Sequence, residues 1–168
     1  MNIRLEPVLI KDKAILRNLL EKYNYEFSQY DMRDINNRGL YGYYDLKSYW
    51  ARENHWAYFI MVNEKLAGFV MVNNHPVVRE TVTDFQIYEF FVLYKYRRLG
   101  VGKQAVMQIL DKHKGRWQLR CHPKNISSVR FWDNVINEYT KGQYELIKSH
   151  PNTEYADGKL SNVFFFDS

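Results

Sequence analysis

The chain has 168 residues, with 24 Lys and Arg against 19 Asp and Glu for a formal net charge of +5, and is 46% hydrophobic and 26% charged. That length fits one domain over residues 1–168 with enough chain to bury a core, and that composition excludes a disordered, collagenous or fibrous chain. No apolar run approaches the ~20 residues of a bilayer span, the start lacks an apolar signal stretch, and a cytoplasmic protein with no membrane partner is the expectation. The single cysteine, Cys121, excludes an internal disulfide, and no Cys/His spacing suits zinc, so no metal is expected.

Residues 3–9 read as a short strand, and Ile15, Leu16, Leu19, Leu20 and Tyr23 then recur at helical spacing behind Asp12, a suitable N-cap. Residues 25–49 read as an irregular loop with short helical turns, holding Asp31, Asp34, Gly39 and Gly42 among its tyrosines. Residues 56–62 and 66–72 are rich in β-branched and aromatic residues, and the three residues between them predict a β-hairpin. Residues 85–93 form the strongest strand, apolar except for Gln86 and Glu89, as expected for a central strand covered on both faces. Val101, Ala105, Val106, Ile109 and Leu110 mark one face of a helix that ends near Gly115. A strand at 117–121 follows, then a helix with Val129, Trp132, Ile136 and Tyr139 on one face behind a cap at Asn125 or Ser127, then strands at 144–148 and 162–166. This order predicts an α+β fold with a mixed sheet, in which the strand-helix-strand crossover from 85 to 121 is parallel and the hairpin antiparallel.

The segment from Val92 to Gly102 places a basic, glycine-containing turn between a buried strand and a helix. Glycines let the backbone approach an anion, the first helical N–H groups have no intrahelical acceptor, and the positive end of the helix dipole faces the same spot. Arg97 and Arg98 would add charge-assisted donors. The turn lacks the Lys-Ser/Thr ending of a Walker A loop and the third glycine of a Rossmann fingerprint. A plain strand-to-helix turn with solvated arginines is the other reading of the same residues.

Arg97-x-x-Gly100-x-Gly102, behind Val92 and ahead of an amphipathic helix, resembles the acyl-CoA-binding signature of the GNAT N-acetyltransferase superfamily. Asn125-x-x-Ser128-x-x-Phe131-Trp132 resembles the family's later motif, and element order matches across nearly the whole chain. Within the superfamily the chain looks like a bacterial group of predicted acetyltransferases of undefined substrate. The resemblance implies the GNAT fold: a mostly antiparallel mixed sheet with one splayed parallel pair and about four helices. It also implies acetyl-CoA as cofactor. The backbone of Phe91, Val92 and Leu93 would bond its pantetheine arm, and the amides of Arg98, Leu99, Gly100, Val101, Gly102 and Lys103 would cradle its pyrophosphate. Asn125, with Ser128 in the same motif, would contact the arm, and Phe131 and Trp132 would wall the thiol end. Tyr94 stands where relatives often have Pro, and Trp132 where many have the Tyr that protonates the leaving thiolate, a task indole cannot perform.

An amine nucleophile must lose a proton, and Glu89, the only carboxylate in the 85–93 strand, is the candidate general base, its pKa raised by burial. A salt-bridged or outward-facing Glu89 is the competing reading. Seven of the 14 Tyr lie between residues 23 and 49, where the resemblance places one wall of the acceptor site. Tyr25, Tyr30, Tyr41 and Tyr43 would supply flat contact surface, and Asp31, with Asp34 and Glu26, would attract a cationic amine. A packed corner or a homodimer surface is the alternative use of this segment. Cys121 reads as a small buried residue; His55, His75, His113 and His150 read as solvated, and His122 is open. The function expected is acetyl transfer to the primary amine of a small molecule by direct attack in a ternary complex. The alternative is an acyl-CoA-binding module without turnover. Nucleic-acid binding is disfavoured, because the cations cluster where the cofactor would lie.

Overall fold

The structure, a computed structural model, describes residues 1–168. The strands are β1 (Ile3–Pro7), β2 (His55–Val62), β3 (Lys65–Asn73), β4 (Phe85–Val92), β5 (Arg116–Cys121), β6 (Tyr144–Ile147) and β7 (Asn162–Asp167). The helices are α1 (Lys13–Asp31), α2 (Ser48–Ala51), α3 (Val101–Lys112) and α4 (Ile126–Thr140). The seven strands form one sheet in the order β1-β2-β3-β4-β5-β7-β6. Only β4 and β5, joined by α3, run parallel; every other neighbouring pair is antiparallel.

Helices cover both faces. Leu16, Leu19 and Leu20 of α1 pack with Ala57, Phe59, Phe69, Met71 and Phe91 on one face. On the other, Val106, Ile109 and Leu110 of α3 and Trp132, Val135 and Ile136 of α4 pack with Val70, Val72, Ile87 and Leu119. Each such side chain contributes about 1.5–3 kcal/mol by leaving water, so neither face is stable uncovered. Asn125 caps α4, its side chain accepting from the Ser128 N–H at 3.1 Å. Asp12 precedes α1 without a side-chain capping bond.

Two expectations are corrected. Residues 25–31 are helical, not loop: Tyr23, Phe27 and Tyr30 recur at i, i+4 and i+7 and touch along one stripe, with ring centroids 5.8 and 5.9 Å apart. The helix stops at Met32, whose φ of 58° is left-handed and whose N–H returns to Ser28 O. His55 and His113 are buried rather than solvated. His113 fills a gap among Trp56, Phe85 and Trp117, with Nε2 3.0 Å from the Tyr58 hydroxyl.

The feature that positions the site is a bulge in β4. Met71 pairs with Glu89 and Val72 with Ile87, so Tyr88 is an extra residue without a partner on β3. The parallel pairing of β4 with β5 covers Phe85, Gln86 and Ile87 and ends there, although both strands continue. Gln86 and Gln118, below the bulge, are spent on the β3–β4 connection: Val77 and Val78 N–H donate to their side-chain oxygens, and their amide nitrogens donate to His75 O and Val78 O.

The upper part of β4 lies unusually close to β3. A Cβ built on Gly68 would stand 2.0 Å from Phe91 O. Gly68→Ala should therefore push the strands apart and cost about 2–4 kcal/mol, read as a lowered urea midpoint. An unchanged midpoint would show that β4 can retreat at no cost.

Candidate active site

Above the bulge, β4 has an open edge. Leu93 N–H donates to Ala67 O at 2.8 Å, and because backbone groups alternate along an antiparallel strand, Phe91 also faces β3 while Phe90 and Val92 face the gap toward β5. The expectation of three available residues is thus corrected: the Phe91 and Leu93 amides serve the sheet, and Val92 is the one that faces outward. Its carbonyl accepts from Arg97 Nε at 2.6 Å, which leaves its N–H.

This edge leads into the turn before α3. No backbone or side-chain acceptor takes a hydrogen bond from the amides of Arg98, Leu99, Gly100, Val101, Gly102 or Lys103. Gly100 has φ +80°, and a Cβ there would meet nothing within 4 Å, so the backbone is approachable from outside. Successive unsatisfied donors at a helix N-terminus form an anion cradle. The unspent donors are the amides, not the guanidinium of Arg97. That group gives both Nη atoms to the Glu26 carboxylate at 2.7 Å and lies 4.2 Å from the Tyr94 ring centroid, so its predicted role as a phosphate donor is corrected to one of holding the turn against α1. Arg98, at φ +59°, has no side-chain partner, and Lys103 pairs with Glu138.

On the α3/α4 side the gap is walled by aromatic rings. Phe90 stacks on Phe131 at 5.7 Å and meets Trp132 edge-on at 5.1 Å. Trp132 is 4% exposed and part of the core. Asn125 spends its oxygen on the α4 cap while its Nδ2 makes no hydrogen bond. Unspent amides, an outward strand edge and a wall of rings beside the turn fit the extended anion-tailed shape of an acyl-CoA.

On the α1 side stands Glu89. Its Oε1 is 3.3 Å from the Tyr43 hydroxyl. Burial raises its carboxyl to about 7, against the opposing pull of the Tyr23 and Tyr43 hydroxyls and of Arg120 and Arg33. Desolvation thus outweighs two hydrogen bonds and two cations. Burial and the Glu89 charge in turn push the Tyr23 and Tyr43 hydroxyls well above the ordinary phenol range, so both stay protonated donors.

The other acceptor-side expectations divide. Tyr43 reaches Glu89, and Tyr30 stacks on His122 at 5.9 Å. Tyr25 is 74% exposed, and the Tyr41 hydroxyl bonds Ser28 Oγ at 3.2 Å. Asp31 is buried and ion-paired with Arg33, and Glu26 is held by Arg97, so neither carboxylate is free to attract a cationic amine. His122 is fixed: the Lys124 N–H donates to Nδ1, so Nε2 carries the proton toward Asp157 at 3.2 Å. Burial pushes the Cys121 thiol up to about 12, which suits a packing residue and not a nucleophile. Tyr23 opens the tyrosine segment expected to wall the acceptor site, whereas Phe27, Arg33, Arg120 and Tyr155 were not anticipated here. Phe27 carried a signal in its helical spacing; the others arrive through tertiary contacts. No cluster of three His, Cys, Asp or Glu side chains suited to a metal is present, and no helix is long and apolar enough to cross a membrane.

An acid whose pKa is raised on folding favours the folded state below its unfolded pKa and withdraws that support as pH climbs to the folded value, here from about 4.3 to about 7. Glu89→Gln removes this cost. The variant should be more stable than the parent at pH 8 by about 1–3 kcal/mol, with the gap closing toward pH 4.5, in urea titrations at both pH values. A destabilised variant at pH 8 would show that the carboxylate is a structural anchor.

Comparison with known proteins agrees with this geometry. Residues 14–135 match the model of the acetyltransferase (GNAT) family. No curated protein matches the sequence. Among solved structures, an acetyltransferase from Thermus thermophilus superposes with a TM-score of 0.69 at 13% identity, covering 100% of this chain and 98% of its own. Spermidine N-acetyltransferase from Vibrio cholerae, solved with CoA and spermine, gives 0.64 at 12% identity over 98% and 95% of the two chains. The ribosomal-protein-S18-alanine N-acetyltransferase from Escherichia coli gives 0.60 at 12% identity over 99% and 94%. With a splayed parallel pair, a free-amide turn at α3 and a family match over most of its length, the chain belongs to the GNAT acetyltransferase family.

Proposed function

We propose that the whole chain, residues 1–168, is one acetyl-CoA-dependent N-acetyltransferase domain that acts on the primary amine of a small molecule by direct attack in a ternary complex. The observation that carries this reading is Glu89, a carboxylate poised near neutrality where β4 and β5 part, on the strand whose open edge runs into the amide cradle. Acetyl-CoA supplies an acyl group already activated as a thioester. The amides from Arg98 to Lys103 hold its pyrophosphate, and the Val92 N–H meets the arm or the thioester oxygen. Glu89, directly or through one water, takes the proton as the amine nitrogen bonds to the carbonyl carbon and the carbon-sulfur bond breaks. Tyr23 and Tyr43 keep the Glu89 carboxylate oriented.

Trp132 is the observation that favours a second reading, a module that binds acyl-CoA without turnover. An indole supplies no proton to a departing sulfur. A thiolate of pKa near 8.5 is nevertheless a competent leaving group at neutral pH, so positioning and proton removal suffice for the chemistry proposed.

Acetyl-CoA at saturating concentration should raise the thermal unfolding midpoint. Gly100→Asp meets open space and incurs only the strain of an L residue at φ +80°, which Asp tolerates better than most, so the variant should fold while its carboxylate repels the pyrophosphate and abolishes that rise. A normal rise in folded Gly100→Asp would move the phosphate site elsewhere. Thiol release in the presence of an amine should slow ~10²-fold or more in Glu89→Gln with acetyl-CoA affinity retained. The wild-type rate should fall below about pH 7 as Glu89 is protonated, and the variant should lack that limb. A near-normal Glu89→Gln rate would remove Glu89 as the base.

A further inference from the structure

The α1 face of the gap has an unusual balance of charge. Most ionised groups that α1, the loop after it and the β6–β7 connection bring there are spent inside the protein. Asp31 pairs with Arg33, whose Nη1 also donates to Asn24; Glu26 pairs with Arg97; Asp157 pairs with Lys124 and His122. Asp34, in the exposed loop after α1, makes no ion pair, and on the sheet itself two charged groups stand at the gap without one. One is Glu89, bonded only to tyrosine. The other is Arg120, on β5 just beyond the last residue that pairs with β4.

Arg120 makes no side-chain hydrogen bond and no ion pair, although it is half-buried. Its guanidinium lies 4.5 Å from the ring centroid of Tyr155, which props it, and Tyr155 packs in turn on Phe27 and His122. Strand alternation puts Arg120 opposite in face to Leu119 and Cys121, which belong to the α3/α4 core, and so on the face where Glu89 pairs with Met71 of the α1 core. Arg120 is also the cation that acts most strongly on Glu89. A half-buried guanidinium held on an aromatic ring without an acceptor is ready for a planar or tetrahedral oxyanion.

We infer that the acceptor is an amine that also carries an anionic group, a carboxylate or a phosphoryl group, which Arg120 binds while the amine faces Glu89. This inference rests on the transferase reading above and names its substrate class. One positive and one negative unspent group in the site complement a zwitterion. A polyamine would find Glu89 and then an uncompensated guanidinium, and such like-charge contact is how a site rejects a wrong ligand.

Thiol release from acetyl-CoA is measured with four matched amines: β-alanine, 3-aminopropylphosphonate, β-alaninamide and 1,3-diaminopropane. The wild-type protein should prefer the carboxylate or the phosphonate over the neutral amide by tenfold or more in kcat/KM, and the stronger of those two identifies the oxyanion. Arg120→Gln should raise KM for the anionic amines ten- to a hundredfold and bring the anion-to-neutral ratio near one. Arg120→Lys should restore part of the preference, and Arg120→Glu should turn it toward the diamine. A wild-type preference for the amide or the diamine overturns the inference and leaves the transferase reading standing. Preference for an anionic amine that survives Arg120→Gln overturns the assignment to Arg120. Thiol release with none of the four, while acetyl-CoA still raises the unfolding midpoint, overturns the transferase reading and this inference together.

Discussion

The extra residue at Tyr88 is the constraint on which the site depends. In an unbroken strand, side chains three positions apart point to opposite faces. With Tyr88 inserted, Gln86 pairs with Asn73 and Glu89 with Met71, so both stand on the α1 face. The same insertion coincides with the end of the β4–β5 pairing at Ile87 and Leu119. A bulge bends its strand and increases its twist, and here that parts two parallel strands, turns the outward groups of Phe90 and the Val92 N–H to the gap, and directs a carboxylate into the opening. Gln86 and Gln118 anchor the strands below the parting, so the divergence starts at a fixed point.

The second element of the design is a clamp between the two sides of the gap. Glu26 belongs to α1 and Arg97 to the turn with the unspent amides, 71 positions later in the chain. Their bidentate bond, with Arg97 Nε on Val92 O and its guanidinium over Tyr94, ties wall, strand edge and turn into one unit. An arginine committed to this geometry is unavailable to an anion, but it holds several backbone donors where the proposed pyrophosphate would lie. Backbone amides lose little freedom when a ligand arrives, which makes such a cradle more pre-organised than flexible side chains would be.

Much of the fold was legible because hydrophobic period decides long elements. The hairpin of β2 and β3, the strand β4, both later helices and a cap at Asn125 or Ser127 follow from spacing and residue type, and the structure selects Asn125. The bulge left only an indirect trace, the polar pair Gln86 and Glu89 set three apart in a strand of period two. The last turns of α1 were masked by tyrosine, aspartate and serine, types common in loops, although Tyr23, Phe27 and Tyr30 keep helical register. For the site, Gly100, Gly102 and Glu89 could be picked out because their chemistry is local. Which charges remain free could not. Asp31 and Glu26 look like attractants in sequence and are neutralised by Arg33 and Arg97, while Arg120, plain in sequence, is left without a partner.

If Glu89 is the base, Glu89 and Trp132 together set the kind of catalysis the proposed site would perform. A proton acceptor near pH 7 is obtained by desolvation, at the expense of fold stability above that pH. On the opposite wall, where a proton donor for the leaving sulfur would stand, an indole buried against Phe90 and Phe131 contributes shape and dryness instead. In the mechanism proposed the work would therefore be uneven: proton removal from the amine assisted by Glu89, departure of the thiolate unassisted. An uneven site of this kind loses most when the amine is misaligned, because alignment is the remaining source of rate. That would place weight on the contact that orients the acceptor, and the Arg120 guanidinium braced on Tyr155 on the same sheet face as Glu89 is a group able to bear it.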